Sequence, residues 1–140
     1  MRDMMNNIHP VRAISPVSVA DNTASVSQII DTRGYDSLAF VIAIGSVADV
    51  DATFAVTMRH GDAANLSDGA AVPAGMLNGT TTLAGFQFDD DNETRKIGYV
   101  GDKRYVEMTI TPTNNASAAL LAAVAILGAP IQRPTPNPPV

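Results

Sequence analysis

The sequence predicts an all-β domain: an antiparallel β-sandwich of the jelly-roll type with extended N- and C-terminal arms. Three observations lead there. Short runs of period-two alternation recur along the chain, Gly, Asn, Asp and Pro turns separate them, and no segment carries a convincing amphipathic helical period. Roughly seven or eight short strands of this kind suffice for two packed sheets. An immunoglobulin-like sandwich is the nearest alternative, because the absence of Cys and Trp removes only its antibody-type subset.

Residues 1–10 are polar, with Met4, Met5 and Ile8 as isolated apolar points, and form an N-terminal arm. The β-sandwich domain occupies residues 11–129. Val11 to Val19 is interrupted by Pro16, which has no N–H for a ladder, so this stretch is an edge strand. Ala24 to Asp31 is β-branched and bounded by Asp21-Asn22 and Arg33-Gly34, which makes it a second strand. Leu38 to Ile44 is apolar on both faces of an extended chain, as expected of a central strand covered by a sheet on one side and by a partner or loop on the other. In Ala52 to Arg59, Phe54, Val56 and Met58 point inward and Thr53, Thr57 and Arg59 outward.

Gly61 to Gly79 is rich in Gly, Ala, Asp, Asn and Ser and reads as a long loop with a brief strand near Ala71. Phe86 and Phe88 resume the alternation, and the acidic turn Asp89-Asp90-Asp91-Asn92 joins them to Arg95 to Gly101 as a hairpin in which Ile97 and Tyr99 share a face. Arg104 to Thr111 carries the clearest signal, with Val106, Met108 and Ile110 inward and Tyr105, Glu107, Thr109 and Thr111 outward. The apolar run ending at Leu127 permits a helix by its Ala content, but its place after a series of strands favours a closing strand. From 130 to 140, five Pro among eleven residues favour extended polyproline backbone, a C-terminal arm.

A chain of 140 residues fits one domain, able to bury roughly two thirds of the surface that its unfolded form exposes. It has no Cys, which excludes disulfides, thiolate metal sites and thiol nucleophiles. A net charge of −5, from 9 basic and 14 acidic residues, argues against nucleic acid as a partner, because the phosphate backbone rewards clustered cations. The apolar run Ala118 to Leu127 has about half the length of a bilayer-spanning helix, so no membrane partner is expected. MRDMMNNIHPVR has no apolar segment behind Arg2; the expectation is a protein made without a secretory signal.

Catalytic motifs are missing. His9 and His60 show no spacing that puts two imidazoles on one metal, and both are expected to be solvated, His9 in the arm and His60 in a loop. No GxSxG elbow occurs, and Ser46 after Gly45 lacks the following Gly. Asp89, Asp90, Asp91, Asn92 and Glu93 offer hard oxygens for calcium without the alternate spacing, the Gly or the distant Glu of an EF-hand loop, and compensation by Arg95 and Lys96 across the hairpin is the simpler account. The glycines from Gly75 to Gly85 form no phosphate cradle. Met58 and Met108 fall on inward faces, which leaves Met4 and Met5 as candidate anchors. The residues thus point to a non-enzyme with no cofactor and no metal.

Taken together, IHPVRAISPV, DNTASVSQIIDTRGYDSLAFVIAIGS, DGAAVP, DDDNETRKIGYVGDKRYVEMTITPTNNASA and the AAVAILGAP ending span most of the chain, and the set resembles the decoration, or cement, proteins of tailed-phage heads. The resemblance implies a jelly-roll structural protein of the virion, made in the host cytoplasm and bound to the outer surface of the phage head. Its implied partners are a major capsid protein of HK97-type fold, whose neighbouring subunits it clamps, and a second copy of itself in a homodimer. No catalytic residue comes with the resemblance.

Many weak contacts repeated over a shell gain affinity by avidity, which suits extended arms. The candidate capsid contacts are Met4, Met5 and Ile8 in the first arm and Pro130, Ile131, Arg133, Pro134 and Pro136 in the second, and both arms are expected to be mobile in the free protein. A carbohydrate-binding β-sandwich is the alternative function, with Asp62, Asn65 and Asp68 addressing sugar hydroxyls. An enzyme using Asp89, Asp91 or Glu93 as paired carboxylates ranks last, since a charged hairpin tip does not enclose a site.

Overall fold

A computed structural model describes residues 2–140. Two antiparallel sheets pack face to face. Across the five-stranded sheet the order is β1 (Ile8–Val19), β11 (Ala119–Pro130), β4 (Tyr35–Val47), β9 (Thr94–Tyr99) and the two-residue β7 (Leu77–Asn78). The six-stranded sheet centres on β10 (Tyr105–Thr113). One side of β10 pairs with the short β2 (Ser25–Val26) and β3 (Ile30–Asp31). Its other side pairs with β5 (Thr53–Gly61), whose far edge takes β6 (Ala70–Ala71) and β8 (Phe86–Gln87). The chain is therefore an antiparallel β-sandwich of jelly-roll type.

Period-two alternation decides what lies between the sheets. Phe40 and Ile42 on β4, Ile97 on β9 and Leu121, Ala123 and Ala125 on β11 supply one side of the core. Val106, Met108 and Ile110 on β10 and Phe54, Val56 and Met58 on β5 supply the other. Burying each of the larger side chains contributes about 1.5–3 kcal/mol. Phe54 also stacks on Phe86 with ring centroids 4.7 Å apart, which fastens β8 to the edge of β5. Pro16 sits within the second register shift of β1, at the sheet edge where a residue without an N–H is tolerated.

Two strand expectations change. Ala24 to Asp31 is two pieces rather than one, because Ser27 exchanges hydrogen bonds with Met108 and the chain then crosses over, Gln28 N donating to Ala13 O of the opposite sheet. The expected hairpin from Phe86 to Gly101 is divided between the sheets: β8 pairs with β5 and β9 pairs with β4. Phe88 is half exposed in a 3-10 turn rather than in a strand. The run ending at Leu127 is the closing strand β11, inserted between β1 and β4. A one-turn helix, α1 (Thr81–Ala84), is too short to leave a periodic signal; the Thr80 hydroxyl caps it by accepting from Leu83 N.

Candidate interaction surface

Many of the titratable groups singled out by the sequence are engaged within the fold itself. His60 is not a solvated loop residue. The phase that sends Phe54, Val56 and Met58 inward continues to His60, which is 7% exposed and whose Nδ1 lies 2.7 Å from the Tyr99 hydroxyl of the opposite sheet. Reading the alternation two residues further would have found it. His9 is likewise not free in an arm: it lies in β1 and stacks on Tyr35 at 5.5 Å.

The acidic turn holds itself together. Asp90 accepts from Gln87 N and pairs with Arg95 at 2.7 Å, Glu93 pairs with the same guanidinium at 2.7 Å, and Asp91 accepts from Val47 N. Hydrogen bonding to Glu93, with Asp90 beside it, pushes the Arg95 guanidinium further toward its charged form. Compensation thus falls to Arg95 alone, while Lys96 points to the other face of β9 and makes no ion pair among the described residues. No three His, Asp or Glu side chains converge as a metal cluster among the described residues.

In the loop after β5 the three residues expected to address hydroxyls are occupied. Asp68 accepts from Asp62 N and Ala63 N, which holds its carboxyl below the ordinary value. Asn65 accepts from Ser67 N, and Asp62 pairs with Lys103 at 2.7 Å.

An apolar face remains open. On β11 and β4 the inward residues alternate with outward ones that are just as apolar: Leu120, Val124 and Ile126 on β11, and Ala39, Val41 and Ala43 on β4. The register sets Val124 beside Val41 and Ile126 beside Ala39, giving continuous rows. Leu120 is 44% and Val124 40% exposed. From strand and residue spacings, two strands wide and seven residues long, the face measures roughly 230 Å², about a quarter to a third of one partner's share in a standard interface. A groove of about 470 Å³ opens beside it between Pro16–Ser18 and Leu120–Ala122. The double-sided apolar pattern of Leu38 to Ile44 announced this face.

The two arms meet at one end of the sandwich. β1 begins at Ile8, so Ile8, His9 and Pro10 pair with Gly128, Leu127 and Ile126, and Pro130 is buried at the end of β11 opposite Tyr35. Ile131 N donates to Gly34 O. Thr135, only 6% exposed, then crosses the other arm, its N–H donating to Asn6 O and its hydroxyl to Ile8 O at 2.6 Å. The segments expected to be mobile are therefore hydrogen-bonded to each other. Met4, Met5, Ile131, Arg133, Pro134 and Pro136 stay exposed on that clasp.

No family model matches the sequence, and no curated protein does either. Among solved structures the chain is similar to the CBM22-1-GH10 modules of the Clostridium thermocellum xylanase 10B complexed with xylohexaose. That likeness has a TM-score of 0.53 at 10% identity and covers 91% of this chain and 27% of the xylanase chain, so this chain spans about a quarter of that protein's length. A Yersinia pseudotuberculosis-derived mitogen matches with a TM-score of 0.45 at 9% identity, over 88% of this chain and 91% of its own. The SPBc2 prophage-derived protein YomS matches with a TM-score of 0.42 at 11% identity, over 84% and 94%. What the xylanase likeness shows is the sandwich fold.

Proposed function

We propose that the protein is a non-enzymatic structural component of a tailed-phage virion that binds the outer surface of the head and stabilises it by clamping neighbouring major capsid subunits. The observation that carries this reading is the five-stranded sheet with two apolar faces, one packed on the core and one open. A sheet face of this kind is suited to being covered, and the exposed arm residues Met4, Met5 and Ile131 add a second contact beside it. The resemblance of the sequence to head decoration proteins supplies the partner, a shell protein of HK97-type fold, and the pairing of copies into dimers.

The test is to add purified protein to heads, lacking this protein, of the phage whose genome encodes it. Co-sedimentation with the heads and a higher temperature of head disruption are expected. Heads that neither bind the protein nor gain stability would overturn the proposal.

The fold fits a carbohydrate-binding module equally well, but among the described residues the rings lining the groove beside β5, Phe54 and Phe86, are buried on each other, and Phe88 is the one Phe that is half exposed. The groove beside β5 is walled by Thr53, Thr57, Thr81, Thr82 and Gln87, and the ring of Tyr105 has the Arg104 guanidinium over it at 4.9 Å. A glycan screen with millimolar affinity cut-off separates the two functions: saturable binding to one sugar class favours the module.

A further inference from the structure

We infer that the open face of the five-stranded sheet docks on an acidic protein surface, an apolar ridge with a carboxylate on either side, one for Arg12 and one for Lys96. The inference rests on the capsid-binding reading for the identity of that surface and assigns the face that meets it.

The register places four residues in one row across four strands. Arg12 of β1 lies opposite Val124 of β11, Val124 opposite Val41 of β4, and Val41 opposite Lys96 of β9. Side chains paired in this way share a face. The row therefore has a cation at each end and two valines between. Both cations are exposed, and neither has a carboxylate within salt-bridge distance among the described residues; Arg12 donates to two uncharged acceptors, the Ser15 hydroxyl and the Gln28 side-chain oxygen.

This is not for want of acids, since the chain carries 14 against 9 bases. Four of the nine cations are matched, Arg59 with Glu107, Arg95 with Asp90 and Glu93, Lys103 with Asp62, and Arg104 with Asp31, while Arg2, Arg33 and Arg133 lie outside this row. Along the row an apolar centre meets positive flanks without one negative charge. Three strand spacings put the two Cα atoms about 14 Å apart, so the matching carboxylates stand about 15–20 Å apart on the partner.

A second copy fits this face poorly. When two identical faces stack with their rows aligned, the cationic ends of one lie over those of the other, and like charges brought together oppose association. An acidic partner turns the same charges into steering and register.

The chain has only two lysines, Lys96 and Lys103, which makes a zero-length carbodiimide cross-link informative. The probe is the head, lacking this protein, used to test capsid binding. Lys103 is expected to couple to Asp62 within the chain and so reports that the reagent worked, whereas Lys96 is expected to couple to an Asp or Glu of the shell subunit. Arg12→Glu with Lys96→Glu, checked for unchanged thermal unfolding, is expected to weaken head binding roughly tenfold or more at low salt, with the difference shrinking as salt rises. Wild-type protein that binds heads while Lys96 couples only to another copy of this chain, or a double variant that binds as wild type does, overturns the inference and leaves capsid binding standing. Wild-type protein that does not bind heads overturns both.

Discussion

The imidazole of His60 and the phenol of Tyr99 join the two sheets, Nδ1 to Oη at 2.7 Å, at the end of the sandwich where β5 and β9 face each other. The Tyr99 oxygen also accepts from Lys103 N at 3.0 Å, and its own proton goes to His60 Nδ1 or to Lys103 O at 3.5 Å according to the tautomer of the imidazole. Burial pushes the Tyr99 phenol above its usual range, so it stays a donor at neutral pH. Tyr99→Phe removes the hydroxyl and strands the buried Nδ1 of His60. The expected loss is about 1–3 kcal/mol in unfolding free energy, measured by urea denaturation, with the strand content by circular dichroism unchanged.

Gly45 and Leu120 define a second close approach. A Cβ at Gly45 would lie 2.8 Å from the Leu120 Cβ, the base of a side chain that cannot rotate away. Gly45→Ala is expected to destabilise by about 1–3 kcal/mol. Gly75→Ala is the control: a Cβ there meets nothing within 4 Å, and thermal unfolding of that variant should stay within about 0.5 kcal/mol of wild type or rise slightly.

Thr135 is the clasp between the arms. Thr135→Val keeps the shape and removes the hydroxyl that donates to Ile8 O. Amide hydrogen exchange at Ile131 and at residue 135 should quicken, while core amides such as those of β10 keep their protection and global stability drops by about 1 kcal/mol or less. Equal exchange in both proteins would show that the hydroxyl does not hold the arm.

Acid stability follows from carboxylates that accept backbone N–H groups. Asp68 takes those of Asp62 and Ala63, and Asp49 those of Asp51 and Ala116; both titrate below the ordinary 3.8. Asp31, hydrogen-bonded by the Arg104 guanidinium, is lowered as well. A carboxyl lowered by folding contributes stability that is complete above its unfolded value and disappears as the pH falls through its folded value. Unfolding free energy should therefore decline below about pH 4, and Asp68→Asn should make that decline shallower. Denaturation curves at intervals from pH 2 to pH 6 measure both.

How far the sequence spoke depended on whether a residue's environment was set by its neighbours along the chain. In β10 the alternation of Val106, Met108 and Ile110 suffices, because a strand paired on both sides keeps strict phase. The double-sided apolar run of β4 likewise foretold a second apolar face, as one covered by a partner or a loop, though not what flanks it. The row from Arg12 to Lys96 joins residues from four distant segments, and only strand order brings them together. His60 was missed at a strand end beside Gly61, where local composition imitates a loop. Thr135 was missed because its partners Ile8 and Asn6 lie at the opposite end of the chain.

The first long strand of the protein has the last one as its neighbour, Ile8 standing opposite Gly128 and Val19 opposite Ala119. A chain emerging from synthesis N-terminus first can form β5 and β10 early and pair β4 with β9, but β1 has nothing to pair with until residues 119–130 have appeared, and the other edge of β4 waits for the same segment. Completion of the five-stranded sheet is thus a late event that depends on full length: loss of the final two dozen residues would leave two long strands without their shared central partner, and the outward apolar face would not exist as a surface at all.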